Sequence, residues 1–189
     1  MNLRRGFKAE ANALAREFRQ ELGVEPYDPL CPYRLADHLG VPVVPLSEFA
    51  NDNPEAVAYF CTSQGQKDFS ALTLCLGTRR LVIYNDRSSP KRQAADVAHE
   101  LSHIVLHHPP MSPFDADGRR HYDNDLEGEA NWLGPALLVS EEAALHIAEQ
   151  GFTLKVASAL YKVSEPLVRM RLGVTGAVKR AALRAARRT

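Results

Sequence analysis

The spacing of hydrophobic residues predicts a helix at the start of the chain and a shorter helix after it. In the first segment they recur three and four positions apart, as on one face of an α-helix: Phe7, Ala11, Leu14, Phe18 and Leu22. Gly23 is a suitable residue to end this helix. The segment DPLCPYRLADHLG (28–40) predicts a second helix that ends at Gly40.

The middle of the chain predicts a small sheet. Residues 57–62 (VAYFCT), 70–76 (SALTLCL) and 81–85 (LVIYN) are rich in β-branched and aromatic residues, which is typical of strands. The four residues 77–80 (GTRR) predict a turn that makes the last two strands a hairpin, and VPVVPL before them predicts a short extended segment. We expect an antiparallel sheet in which the strand 81–85 offers an edge to an extended peptide.

The second half of the chain predicts helices. Ser89 and Pro90 suit the start of a helix that runs to about His107, and a second long helix is expected from about Asp125, with Pro135 kinking it or ending it early. Shorter helices are expected over 140–150, 154–162 and 164–172. The order of elements predicts an α+β fold, a small antiparallel sheet packed on a helical core.

Three regions follow from this pattern. We predict a core over 1–140, a helical cap resembling a helix-turn-helix over 141–175, and a basic tail over 176–189, for which disorder is an open alternative.

Composition narrows the classes of function. The 189 residues contain 23 basic and 23 acidic side chains, so overall charge favours neither nucleic acid nor a membrane surface as a partner. No apolar run approaches the roughly 20 residues that span a bilayer. The cysteines are few and contain no C-x-x-C pair, which indicates a reducing cytoplasm. They are Cys31, Cys61 and Cys75.

The segment AHELSH (98–103) carries the clearest chemical signal. On a helix, His99 and His103 lie one turn apart on one face, so both imidazoles can bind one Zn²⁺. Glu100 borders this face and can take a proton from a metal-bound water. For this composition, H-E-x-x-H is expected by chance only about 0.02 times. The pattern predicts a zincin-like catalytic zinc site.

A catalytic zinc needs a third protein ligand. A metzincin would place a histidine six residues after His103, where this chain has Pro109, so that class is excluded. A glutamate from the second long helix remains, with Glu127 the stronger candidate and Glu129 the alternative on the other side of the helix. Asn131, one turn beyond Glu127, is expected to hydrogen-bond a ligand.

Several other residues are candidates for accessory roles. His107 either caps the end of the metal helix, where the dipole favours a cation, or adds a ligand or a ligand partner. Asp96 either orients a ligand or pairs with Arg92 one turn before it. His121 or Tyr122 could help to stabilise an oxyanion, whereas His108 is expected on the surface.

Two segments together resemble the ImmA/IrrE family of metallopeptidases. They are RQAADVAHELSHIVLH (92–107) and EGEANWLGPALLVS (127–140), similar to the family's A-H-E-(L/I)-(G/S)-H-x-x-L-H and E-x-E-A-N-x-F-A-x-x-L-L-M-P patterns. ASALYKVSEPLVRMRL (157–172) also fits, and the resemblance covers about residues 8–173. The chain departs from the pattern at 132–135 and 139–140.

The resemblance implies an intracellular zinc peptidase that cleaves helix-turn-helix (XRE-type) repressors and thereby induces stress genes or mobile elements. It implies His99, His103 and Glu127 as ligands and Glu100 as the catalytic base. Two alternatives stay open: a DNA-binding regulator that uses residues 154–188, and a non-catalytic module that binds zinc and a partner protein.

Overall fold

The computed structural model describes residues 3–109 and 123–187. A short 3₁₀ turn, Leu46–Phe49, follows the first strand. The helices and strands are α1 (Phe7–Glu21), α2 (Pro32–His38), β1 (Val43–Pro45), α3 (Pro54–Cys61), α4 (Gly65–Asp68), β2 (Ala71–Leu76), β3 (Arg79–Tyr84), α5 (Pro90–Val105), α6 (Asn124–Leu138), α7 (Glu141–Glu149), α8 (Leu154–Leu160), α9 (Glu165–Val174) and α10 (Ala177–Ala186).

The sheet is smaller and more mixed than expected. Its strand order is β1-β3-β2, with β2 antiparallel to β3, as the predicted hairpin requires, and β1 parallel to β3. The expectation of a wholly antiparallel sheet is therefore wrong for β1. Since β3 lies between two strands, its interpretation as an edge is also wrong, and β2 is an edge strand of the described sheet.

The prediction of a strand over 57–62 is wrong, because residues 57–61 belong to α3 and Thr62 is its C-cap. Asn53 accepts a hydrogen bond from the Ala56 N–H as the N-cap, and Pro54 occupies the first helical position. Capping and a proline at this position both favour a helix, and they outweigh the β propensity of the residues that follow.

The two long helices α5 and α6 form the centre of the molecule, and α5 packs on one face of the sheet. A side chain at Gly134 would meet the backbone of Ala98 and His99 at 3.2–3.3 Å, so glycine lets α6 approach α5 closely at this point. The expectation that Pro135 ends α6 early is wrong, because the helix continues through Pro135 to Leu138.

The helices after α6 pack against its C-terminal end through a second cluster of buried apolar residues. Residues Ala177–Ala186, part of the predicted tail, form α10, and Ala177 is fully buried. The division into core, cap and tail stays a prediction, as does the likeness of the cap to a helix-turn-helix. Among the described residues, no helix combines the length and apolar character required to cross a membrane.

Candidate metal centre

Three side chains from α5 and α6 converge on one point. The Nε2 atoms of His99 and His103, one turn apart on α5, are 3.2 Å from each other. Glu127 lies in the first turn of α6. Its Oε2 atom is 3.3 Å from Nε2 of His99, and its Oε1 atom is 3.5 Å from Nε2 of His103. Their potential ligand atoms all lie within 4.8 Å of one another.

These separations fit the donor set of a tetrahedral metal ion. Bonds of about 2.05 Å at tetrahedral angles place two donor atoms about 3.3 Å apart. The two imidazole nitrogens are 3.2 Å apart here, and each lies 3.3 or 3.5 Å from the nearer of the two Glu127 oxygens. Two imidazoles and a carboxylate are also a common protein ligand set for catalytic zinc. The three side chains are 21–24% exposed, so the site can be reached from outside.

The protonation of the two histidines differs. For His103, burial and the nearby charge of His99 lower the pKa to about 4, so the ring is neutral at neutral pH, the form that binds a metal. Burial acts in the same direction on His99, but the hydrogen bond to Glu127 and the charge of Glu100 outweigh it and raise the pKa. A metal that binds His99 therefore competes with a proton that the hydrogen bond to Glu127 favours.

Glu100 lies beside this cluster and is held by the sheet. The Thr73 hydroxyl, on the edge strand β2, donates a 2.7 Å hydrogen bond to Oε2 of Glu100. A carboxylate fixed next to a metal can accept and return a proton. Sequence reasoning missed Thr73, because the side of β2 that faces α5 depends on the register between β2 and β3.

The comparisons with known proteins agree with this geometry. The family model for peptidase M78, described as the IrrE N-terminal-like domain, matches residues 34–173 and so covers more than half of the chain. The chain belongs to this family. No curated protein and no solved structure matches it.

Membership of the peptidase M78 family makes the chain a metallopeptidase of the ImmA/IrrE type, as the resemblance implied. The match contains α5 and α6 with all the residues that converge at the site, whereas α1 and the residues before it lie outside the match.

Glu129, the alternative ligand, lies elsewhere. Its Oε1 accepts a 2.7 Å hydrogen bond from the Arg4 guanidinium, and its Oε2 lies 3.3 Å from Nε2 of His108. Glu129 is not one of the three residues whose ligand atoms converge. The geometry therefore favours Glu127 as the third ligand of an M78 metal site.

His108 is not the surface residue expected from the sequence, since only 6% of its side chain is exposed. The helix α5 ends in a Schellman turn, in which the His107 N–H binds the Ile104 carbonyl and the His108 N–H binds the His103 carbonyl. This turn folds the chain back, so that His108 Nδ1 lies 2.9 Å from Nδ1 of His103. Two adjacent histidines just beyond the metal helix are the sequence signal for this contact.

The remaining candidates are placed as follows. His107 has a φ of +53° and ends the helix through its backbone, and its exposed side chain makes no hydrogen bond to the three converging residues. Asn131 is exposed on α6 and does not hydrogen-bond those residues either. Asp96 lies 3.5 Å from the Arg92 guanidinium. His121 and Tyr122 lie outside the described residues.

Proposed function

We propose that this protein is a zinc-dependent endopeptidase whose metal is held by His99, His103 and Glu127. The observation that supports this proposal best is the convergence of two imidazole nitrogens and one carboxylate, whose ligand atoms, one from each residue, all lie within 4.8 Å of one another. A zinc ion held by these three residues would supply a Lewis acid that lowers the pKa of a water molecule and polarises a peptide carbonyl.

Within this proposal, Glu100 is the general base and then the general acid. Its carboxylate accepts a proton from the attacking water and passes it to the amine that leaves when the peptide bond breaks. The hydrogen bond from Thr73 to Oε2 holds this carboxylate beside the proposed metal centre. General acid–base catalysis of this kind contributes about 10²–10⁴-fold to the rate.

We propose that the substrate lies extended along the outer edge of β2. Thr73 belongs to this strand and touches Glu100, so a peptide paired with β2 would run directly beside the base. This replaces the edge that the sequence suggested on β3. The family resemblance supports a helix-turn-helix repressor of the XRE type as the substrate, with induction of stress genes or a mobile element as the result, in the cytoplasm.

The charge of α10 counts against direct DNA binding through residues 154–188. Arg180 and Arg184 lie 3.4 Å and 3.0 Å from carboxylate oxygens of Glu141 and Glu149 on α7. Basic side chains paired with carboxylates are less available to phosphates. A protein substrate is therefore the better supported partner.

The test combines metal analysis with a cleavage assay. Purified protein should contain one zinc per chain, and it should cut the helix-turn-helix repressor encoded beside its own gene. The Glu100→Gln variant should keep the zinc and lose about 10²–10⁴-fold of the cleavage rate. Glu55→Gln, at an exposed glutamate of α3, is the matched control and should cut like wild type.

The outcomes separate the alternatives. Cleavage by Glu100→Gln at the wild-type rate would remove the assigned role of Glu100. Wild-type protein that holds zinc but leaves the repressor uncut, while binding it tightly, would favour the non-catalytic module. Wild-type protein that retains no zinc would overturn the proposed centre.

A further inference from the structure

A continuous chain of polar contacts leads from the candidate ligand His103 to the N-terminal segment. The Nδ1 atom of His103 lies 2.9 Å from Nδ1 of His108, and Nε2 of His108 lies 3.3 Å from Oε2 of Glu129. The other oxygen of Glu129 accepts a 2.7 Å hydrogen bond from Nε of Arg4. Of these residues, His108 and Glu129 are almost fully buried, with 6% and 11% of their side chains exposed.

The hydrogens can be placed in only one order if His103 binds a metal through Nε2. Its proton is then on Nδ1 and is donated to Nδ1 of His108, which must accept. His108 consequently carries its own proton on Nε2 and donates it to Glu129. The carboxylate of Glu129 can only accept, and it receives hydrogen bonds from both His108 and Arg4. It therefore fixes which atom donates and which accepts in each of these hydrogen bonds.

The fold holds each member of this chain in place. The Schellman turn after α5 brings the ring of His108 next to that of His103. Glu129 lies two positions after Glu127 on α6, so the two side chains leave different sides of the helix. Arg4 is held by two further hydrogen bonds, of 2.6 and 2.7 Å, to Glu10 on α1, and its guanidinium lies over the ring of Phe7. Since Arg4 lies outside the matched residues 34–173, the family match does not account for its contact with Glu129.

We propose that His108, Glu129 and Arg4 are positioning residues that lock the tautomer and the ring orientation of the metal ligand His103. The inference rests on the proposed zinc centre and extends it to residues that do not touch the metal. Partners of this kind orient a ligand and raise its basicity, and their loss typically weakens metal binding about 10–100-fold.

The Glu129→Gln variant tests this order of donors and acceptors, because glutamine has nearly the same shape as glutamate. A glutamine amide can donate to Nε2 of His108, which would move the His108 proton to Nδ1 and make that atom a donor toward His103. His103 would then carry its proton on Nε2, the atom that faces Glu127, and would be in the wrong tautomer to bind a metal. We expect zinc affinity, measured by chelator competition, to fall about 10–100-fold.

His108→Phe and Arg4→Gln complete the series. His108→Phe keeps a ring in the buried space but removes both nitrogens, so we expect a loss similar to that of Glu129→Gln. Arg4→Gln should have a smaller effect, because half of the arginine side chain is exposed to solvent. Arg5→Gln, at the exposed neighbour of Arg4, is the matched control and should bind zinc like wild type.

Two further measurements separate positioning from a general loss of structure. The visible spectrum of the Co²⁺-loaded protein should change in Glu129→Gln, because the ligand field depends on how the His103 ring is oriented. Circular dichroism of the metal-free variants should show that they are folded at the assay temperature, and if His108→Phe is unfolded, the isosteric Glu129→Gln decides. Wild-type affinity and an unchanged spectrum in Glu129→Gln would overturn the proposal, whereas wild-type protein without zinc would overturn the centre itself.

Discussion

The two ends of α6 both contain buried or half-buried charges, but they use them differently. At the N-terminal end, Glu127 faces the ring nitrogens of His99 and His103 within 3.5 Å. At the C-terminal end, the Arg19 guanidinium donates to the Leu138 carbonyl at 3.4 Å, and the Arg171 guanidinium donates to the Val139 carbonyl at 2.8 Å. Carboxylates at the start of the helix and cations at its end both agree with the helix dipole.

The difference lies in what satisfies the charge. The two arginines are 1% exposed, and burial lowers the pKa of each to about 10, so both remain charged at neutral pH. Their guanidinium groups donate to backbone carbonyls, those of Ala15, Asp28 and Leu138 for Arg19 and that of Val139 for Arg171. Leu138 and Val139 lie at the end of α6, where a helix leaves carbonyl groups without a donor of its own. At the other end the ligand atoms of three side chains face one another, an arrangement that a metal ion stabilises. The C-terminal end therefore joins α6 to α1 and α9, and the N-terminal end brings three potential ligands together.

Removal of zinc is expected to cause the largest loss of stability, and it concerns only the N-terminal end of α6. Zinc at about 1,000 times its Kd should raise the free energy of unfolding by about 4 kcal/mol, because only the folded chain brings the three ligands together. Thermal unfolding with zinc and with a chelator measures the difference. Glu127→Gln should abolish most of it, while Asp125→Asn, an exposed acidic residue in the same turn of α6, should keep it. Equal melting temperatures with and without zinc in wild-type protein would contradict this account.

The sequence predicted the site better than it predicted the sheet. The spacing of His99 and His103 is local, so helix geometry alone brings both rings to one face. Glu127 was selected by its place on the next long helix, and the structure brings it to the two histidines. The β-branched and aromatic composition of 57–62 predicts a strand, but Asn53 and Pro54 start a helix just before this segment.

Other contacts depend on long-range structure that a single sequence does not contain. Thr73 reaches Glu100 only because the register of β2 against β3 turns its side chain toward α5. His108 reaches Glu129 only because a turn reverses the chain after α5 and α6 packs beside it. Arg171 lies 32 residues from the carbonyl that it binds. In each case the chemistry of the residue was visible in the sequence, but its partner was not.

Replacement of Arg171 by methionine should lower stability through the C-terminal end of α6 and leave the metal centre at its other end unchanged. The variant keeps much of the buried volume but leaves the Val139 carbonyl without this donor, so we expect a loss of about 1–3 kcal/mol in the free energy of unfolding. Denaturant unfolding measures the loss, and zinc affinity of the folded variant should equal that of wild type. Arg169→Met, at an exposed position on the same helix, is the control.

The opposite result for Arg171→Met is physically possible and would be informative. Burying a cation is costly, and exchanging a buried charged group for an apolar side chain sometimes stabilises a protein. If the variant is at least as stable as wild type, the hydrogen bond to Val139 does not offset this cost. A fall in zinc affinity in the folded variant would show instead that the two ends of α6 are coupled.

The smallest predicted effect concerns Ser140, which follows α6 and stands where the ImmA/IrrE pattern has proline. Its hydroxyl accepts a hydrogen bond from the Ala143 N–H as the N-cap of α7 and donates one to the Pro26 carbonyl at 2.7 Å. Ser140→Ala should therefore lower the free energy of unfolding by about 1 kcal/mol, measured by denaturant unfolding. Ser164 is the exposed N-cap of α9, and its hydroxyl accepts a 3.3 Å hydrogen bond from the Leu167 N–H. Ser164→Ala should therefore lower the free energy of unfolding by less than Ser140→Ala does. Equal losses in the two variants would mean that the hydrogen bond from Ser140 to Pro26 adds nothing to the stability of the protein.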